Sequence, residues 1–473
     1  MPRNTDSSNT PISMDRIGEI ILKAKEKAQK ATSMEPEPGL TKKVDWPVQC
    51  TVGPGLEGAI ACETEVGYVN GAKGWLIYRG YDIFDLCAHS TFEEVTFLLL
   101  NGNLPNKKEL AGLKKKFVKY RHLPGTKRLL MGFPVEDMNP MAALRLGTNL
   151  MRQKQTFRDK PSAGDDTTPI AADEDSIPME TLPRGEKRAI YEFNKSQYVR
   201  PASVSQELSS SEDIESCYHI IAGVPSIAAS IVRLRQGRLP LEPHPDLGHA
   251  ANFLYMMTGR IPTPLEEKIL DICLILHADH GMNASTFAAM VVASTLSDIY
   301  FSVGAGIAAL NGPLHGGANV QVMHMLQSIG GPDKVKPWLD AKLKAKEKIT
   351  GFGHRVYKAY DPRSLILGPL ADLLIKSHPE MRKLMATAKT LEKLMVEGLG
   401  KEKKIFPNVD FFSGFVYKAL NIPVDIFTVM FAVARVSGWT ARVLEYLKNN
   451  RIFRPRAIYT GKFDRKYVPP GKR

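Results

Sequence analysis

From about residue 90 onward, apolar positions recur every three to four residues, and helix stops punctuate them. "TFEEVTFLLLNG" opens with Thr91 and Glu94 at capping-box spacing and stops on Asn101-Gly102. "NKKELAGLKKKFVKY" sets Leu110, Leu113, Phe117 and Tyr120 along one helical face. "TPLEEKILDICLILHADH" offers Thr263 as a cap, Pro264 in the first turn and two acids beside it. "DIFTVMFAVARVSGWTARVLEYL" is a further long helical pattern, and Ile17, Ile20, Ile21, Ala24 and Ala28 predict a short amphipathic helix near the start. The one clear strand signal is "VGYVNGAKGWLIYRG", two β-prone runs around a glycine-containing turn. The elements predict a mainly α fold with a short N-terminal β-hairpin.

Two stretches break the helical text. Residues 154–211 are rich in Pro, Ser, Thr and acids and poor in apolar residues, which predicts a surface insertion. A regulatory or partner-binding arm is the other reading of that segment. The polar joint "SMEPEPGLTKK" (33–43) separates the N-terminal helix from the body, so residues 1–43 read as an extension. The run Ala284–Asn311 is dense in Ala, Ser and Gly, which lets helices approach closely in a core or across a subunit interface; the pattern favours neither.

Composition narrows the class only slightly. The 473 residues suggest roughly two to four domains, and 43% hydrophobic with 24% charged residues is ordinary globular usage. No run of eighteen or more apolar residues exists, so no membrane span is expected. The N-terminal stretch lacks an apolar signal core and carries Asp6, Asp15, Glu19 and Glu26, unlike a transit peptide. Five scattered cysteines with no C-x-x-C pair suggest neither zinc nor a disulfide framework and fit a cytoplasmic location. The net charge of +13 has no aromatic-interleaved basic stripe behind it, so nucleic acid is not expected. Surface lysine, or attraction of polyanionic small molecules, accounts for it.

Four polar islands interrupt the helices. "HADHGMN" holds His277, Asp279, His280 and Asn283; without a third ligand cluster it reads as a helix-end histidine pair, and no metal is expected. "NGPLHGGAN" frames His315 with glycines, and "GFGHRVYKAYDPR" does the same for His354 before Arg363. Glycines there predict backbone N–H groups open to a ligand, or simply turns. Lys342, Lys344, Lys346 and Lys348 just upstream form a solvated face or attract a phosphate-bearing ligand. "FPNVDFFSG" sets Asp410 in apolar company, which raises its pKa toward that of a general base, unless it merely caps a helix. Arg435 lies inside an apolar helix and needs an anion partner; Arg454 stands in "RIFRPR". Two framed histidines, one aspartate and isolated arginines suit a small dicarboxylate with acid–base chemistry at a carbonyl.

These islands, in this order, resemble the citrate synthase family. "GFGHRVYKAYDPR" is similar to its signature, "LHGGAN", "HADHGMN" and "NVDFFSG" to its other active-site stretches, and "GLEGAIACETEVGYVNGAKGWLIYRGYDIFDL" to its N-terminal opening. The resemblance runs from about Gly55 to Gly461, interrupted by the 154–211 insertion. It implies a homodimer with a large discontinuous domain (44–317 and 426–473) and a small inserted domain (318–425) that closes over the substrates. It implies that Asp410 takes the methyl proton of acetyl-CoA and that His315 stabilises the enol. His354 would polarise the oxaloacetate carbonyl. His280, Arg363, Arg435 and Arg454 would clamp oxaloacetate, Arg454 from the partner subunit, with Lys358 and Lys348 on CoA. The expected activity is the synthesis of citrate from acetyl-CoA and oxaloacetate, with no cofactor besides. The alternatives are a 2-methylcitrate synthase using propionyl-CoA and an inactive scaffold of the same fold.

Overall fold

The computed structural model describes residues 14–36, 41, 43–154, 210–463 and 465–472. The polar lead before residue 14 and nearly all of the 154–211 segment lie outside those residues. Helix α1 (Met14–Ala31) is the expected amphipathic helix, with Ile17 and Ile21 fully buried. The expected hairpin follows as β1 (Gly67–Asn70) and β2 (Trp75–Tyr78), antiparallel, with Tyr68 opposite Ile77. A third strand, β3 (Tyr81–Asp82), pairs with β2 and makes a small meander. Two residues are too few to show a period, which is why the sequence hides it.

Helices then dominate. They are α2 (Ile83–His89), α3 (Phe92–Asn101), α4 (Lys107–Tyr120), α5 (Pro124–Leu130), α6 (Pro140–Leu150) and α7 (Ser210–Arg235). α8 (His249–Thr258), α9 (Pro264–His277), α10 (Ala284–Ser294) and α11 (Ile299–Leu310) follow. The predicted caps are present: Thr91 with Glu94 and Thr263 with Glu266 form reciprocal boxes, and Gly102 ends α3 in the left-handed region. Each box answers two backbone N–H groups that the first helical turn would otherwise leave without acceptors.

A second group comprises α12 (Ala318–Ile329), α13 (Val335–Lys344), α14 (Pro362–Ile375), α15 (Arg382–Met395), the one-turn α16 (Lys401–Lys403) and α17 (Val409–Ala419). A π-helical turn (Val396–Gly400) joins α15 to α16. In this group α17 packs on α12 and α14, and α15 on α12 and α13. It meets the rest of the chain mainly through α9, α18, α1 and α2.

The last helix, α18 (Phe427–Leu447), is the spine of the core. Every residue from Val429 to Val443 is buried, against α7, α9, α10 and α11. Two segments, Ile214–Arg235 and Val424–Leu447, have the length and mean hydropathy of a membrane span, although neither is an unbroken apolar run. Their apolar windows are 89% and 83% buried against the rest of the chain, as core helices are. The small-residue run of α10 and α11 is used for close packing inside the chain. A Cβ added at Gly306 would meet the Trp439 ring at 2.9–3.1 Å.

Candidate active site

α9 ends where α18 passes beneath it. The Gly438 N–H donates to the Ala278 carbonyl at 3.0 Å, and a Cβ there would lie 2.3 Å from that oxygen. Only glycine allows this crossing. Asp279 then drops into the core, where Arg442 grips it with two arms at 2.7 Å each. The Tyr78 hydroxyl from β2 donates to the Asp279 carbonyl at 2.8 Å. These anchors fix the next residue, His280, whose Nε2 sits 3.2 Å from the Tyr357 hydroxyl. The His280 and His354 rings meet edge to face with centroids 5.2 Å apart.

The His354 loop is held from two sides. Gly351 and Gly353 both take positive φ (88° and 80°), and a Cβ at Gly351 would strike Phe411 at 2.9 Å. The Gly351 carbonyl and the Gly353 N–H are both taken up by the chain, while the space beside the Gly353 Cα is open. The Gly353 N–H donates to the Phe406 carbonyl, and the Gly351 carbonyl accepts from Asn408, both at 2.9 Å. On the other side the Lys358 N–H donates to the Gly71 carbonyl in the hairpin turn at 2.9 Å. Inside the loop, His354 Nδ1 accepts from the Val356 and Tyr357 amides at 3.0 and 3.2 Å. A nitrogen that accepts carries no proton, so the neutral ring presents Nε2–H as its donor. Burial and then the Arg363 charge lower the His354 pKa to about 4, so the ring is neutral at pH 7.

His315 lies in the turn between α11 and α12. Its Nε2 is 2.9 Å from Ser285 Oγ and 3.3 Å from the Ser285 amide, in the first turn of α10. That amide can only donate, so Nε2 accepts and the ring proton sits on Nδ1. Trp439 Nε1 donates to the same Ser285 Oγ at 3.3 Å, which locks the pair to α18. Burial, then Arg435, bring the His315 pKa to about 4. The positive end of α10 acts in the same direction.

Asp410 stands in the first turn of α17, behind its cap Asn408, whose side chain accepts the Asp410 N–H at 3.0 Å. It is therefore not the cap. Among the described residues its carboxylate has no hydrogen bond or ion pair. Burial raises its pKa to about 6; Arg363 opposes the rise, Asp361 adds to it, and Arg435 opposes it again. Asp361 is the residue that the sequence reading passed over. It takes Arg363 in two bonds (3.0 and 2.8 Å), caps α14 by accepting the Arg363 N–H, and accepts the Val409 N–H at 3.2 Å. One carboxylate thus joins the starts of α14 and α17.

Arg435 differs from Arg363. Its Nε donates to the His277 carbonyl at 2.6 Å, but Nη2 is buried with no partner among the described residues. Burial lowers its pKa to about 10. A buried guanidinium short of one acceptor is a preformed seat for an anion. His280, His315, His354, Asp410, Arg363 and Arg435 thus share one electrostatic neighbourhood. Arg454, Lys348 and Lys358 are exposed; of the three, Lys358 joins this neighbourhood through its charge, which adds to the lowering of the His354 pKa. Asp361, Tyr357, Ser285 and the Asp279–Arg442 pair are the functional supports that sequence reasoning missed. Each acts through a partner distant in sequence, apart from the Asp361–Arg363 motif pair. Among the described residues, no group of three or more His, Cys, Asp or Glu converges as metal ligands.

One carboxylate with a raised pKa, two neutral imidazole donors and an anion seat can remove a carbon-bound proton, hold the resulting enol oxygen and polarise a carbonyl. Comparison with known proteins gives the family. The family profile described as citrate synthase, C-terminal domain, matches residues 55–456. A citrate synthase of Acidithiobacillus ferridurans is 39% identical, covering 89% of this chain and 98% of the relative. A citrate/2-methylcitrate synthase of Bacillus subtilis is 36% identical over 86% and 96%. Among solved structures, the citrate synthase of Thermoplasma acidophilum in ternary complex with carboxymethyl coenzyme A and oxaloacetate matches with a TM-score of 0.72. It is 32% identical, covering 87% of this chain and 97% of that one.

Proposed function

The chain belongs to the citrate synthase family, and from that premise we propose that Asp410, His315 and His354 are the groups with which it condenses acetyl-CoA and oxaloacetate. Asp410 takes a proton from the acetyl methyl group while His315 Nδ1–H holds the thioester oxygen as the enol forms. The methyl carbon then attacks the keto carbon of oxaloacetate. Its oxygen accepts from His354 Nε2–H and is protonated as the new bond closes. Water finally cleaves citryl-CoA to citrate and CoA.

The observation that carries this reading is the protonation pattern. A thioester α-proton is weakly acidic, so a base near neutrality needs help from donors that keep their protons. Asp410 at about 6 is ionised at pH 7, and the two imidazoles are neutral donors rather than cations. One preorganised donor of this kind lowers the barrier by about 2.7–4 kcal/mol. Arg435, Arg363 and His280 receive the carboxylates of oxaloacetate, and Lys358 and Lys348 reach CoA phosphates from the exposed rim. Residues 318–425 form the small domain, which closes on the substrates and excludes water.

The same reading makes the enzyme a homodimer with Arg454 completing the partner's site. Ile452, Ile458, Phe463 and Tyr467 are 63–92% exposed after α18, an apolar surface that a second subunit would cover. A cytoplasmic location belongs to this reading, and the five free thiols support it.

Asp410→Asn tests the assignment. We expect kcat to fall about 10²–10⁴-fold with oxaloacetate affinity retained; near-normal turnover would overturn it. The Bacillus relative keeps 2-methylcitrate synthesis as a second reading, since one methylene discriminates by only about 1–3 kcal/mol. Parallel assays with acetyl-CoA and propionyl-CoA separate the two. No CoA release from either would favour an inactive scaffold.

A further inference from the structure

A second cleft, of about 560 Å³, lies between α1 and the ends of α3, α8 and α9, apart from the reacting residues. Its roof is α1, at Asp15, Gly18, Glu19 and Leu22. α1 precedes the segment 55–456 that the family profile matches, so the cleft joins an added element to the common body.

Unbalanced charge distinguishes this cleft. Glu93 Oε1 and Glu267 Oε1 come within 3.6 and 3.2 Å of the point where a Cβ on Gly248 would sit. Asp271, one turn along α9 from Glu267, is 5% exposed, and its Oδ2 has no hydrogen-bond partner. His249, 6% exposed in the same lining, has an unpartnered Nε2. The cation nearest Asp271 is Lys268, at 3.9 Å, and it donates instead to the Ser90 carbonyl at 2.9 Å. Among the described residues, neither Glu93 nor Glu267 makes an ion pair. Burial, and then repulsion from Glu93, push the Asp271 carboxyl up to about 7; the same two causes raise Glu267. Lys114 also lines the cleft and opposes the rise at Glu267, yet Asp15, Glu19, Glu93, Glu267 and Asp271 share the lining with only Lys114 and Lys268 as lysines; a further cation placed among these carboxylates would lower the cost of grouping them.

A metal ion does not suit the cleft, because no three ligating groups converge there. The acids share the lining with the apolar side chains Leu22, Ala88 and Pro264 instead. That pattern matches an elongated organic cation, with nitrogen for the carboxylates and methylenes for the apolar stretches. We propose that the cleft between α1 and α9 binds a small organic cation carrying ammonium or guanidinium groups.

Spermidine is the probe, titrated calorimetrically into the full chain. We expect one saturable site per chain. Glu267→Gln should weaken it at least tenfold and Glu19→Gln, on the exposed roof, at least threefold, with citrate formation in the absence of spermidine unchanged. A neutral diol of matched length should give no saturable heat. Absence of saturable binding would overturn the proposal. So would unchanged affinity in both variants, or equal binding of Mg²⁺ at matched ionic strength. Glu19 lies on the surface, so its variant decides the matter even if Glu267→Gln fails to fold.

Discussion

Arg435 and Arg442 lie two turns apart on α18, and they are 1% and 2% exposed. Arg442 has its anion built in: Asp279 binds two of its nitrogens, and the pairing raises its pKa despite burial. Arg435 has a carbonyl and the face of the Phe431 ring but no bonded anion, and burial lowers its pKa. The same side chain on the same helix therefore serves two purposes. On this helix, the arginine whose anion the chain supplies holds the fold, and the one without such an anion is the one we propose for substrate. Burial alone does not tell them apart, but the partner does.

The largest expected effect that would break this contrast is on stability. Arg442→Ala leaves Asp279 buried without its counter-ion, a loss of about 3–5 kcal/mol, measurable by denaturant unfolding. Arg435→Ala should cost clearly less. Equal losses in the two variants would erase the distinction. The next effect is on binding. Arg435→Ala should weaken oxaloacetate about 10- to 150-fold, as expected when one charge-assisted bond of about 1.5–3 kcal/mol is removed. Folded Arg442→Ala should bind it almost normally.

The smallest effects are on pH dependence, and they sharpen the contrast. Asp410 must be ionised to accept a proton, so kcat should fall as pH drops through about 6. Arg435 holds that value down, so Arg435→Ala should move the acid limb upward, whereas Arg442→Ala should not. Acid unfolding should show the reverse. Arg442 depresses the Asp279 carboxyl below its ordinary value. The pairing therefore stabilises the fold above that ordinary value and is lost as pH falls through the lower folded one. Arg442→Ala should raise the pH midpoint of acid unfolding, and Arg435→Ala, whose charge acts on Asp279 more weakly, should raise it less.

What the sequence made legible was local. The Thr91–Glu94 and Thr263–Glu266 caps lie within one turn, so four residues of text contain the whole interaction. Asp410, His315 and His354, the residues we propose for catalysis, stood out because each sits in a distinctive short motif. Arg442 was not, although its apolar surroundings resemble those of Arg435, because what sorts the two is a carboxylate 163 positions away. Ser285 reads as one more small residue until the fold brings His315 against it, 30 positions on. The glycines around His354 were noticed for the right reason, backbone freedom, and part of that freedom serves docking of the loop onto Phe406 and Asn408.

Asp361 has an evolutionary corollary. It grips the Arg363 side chain and also accepts the backbone amide 48 positions away that precedes Asp410. A change there would disturb Arg363 and the proposed base Asp410 at one stroke, so neither is expected to drift independently of it. Substitution at 361 should be tolerated only when compensating changes arise at both helix starts. In descent, these two separated stretches of chain behave as a single heritable part.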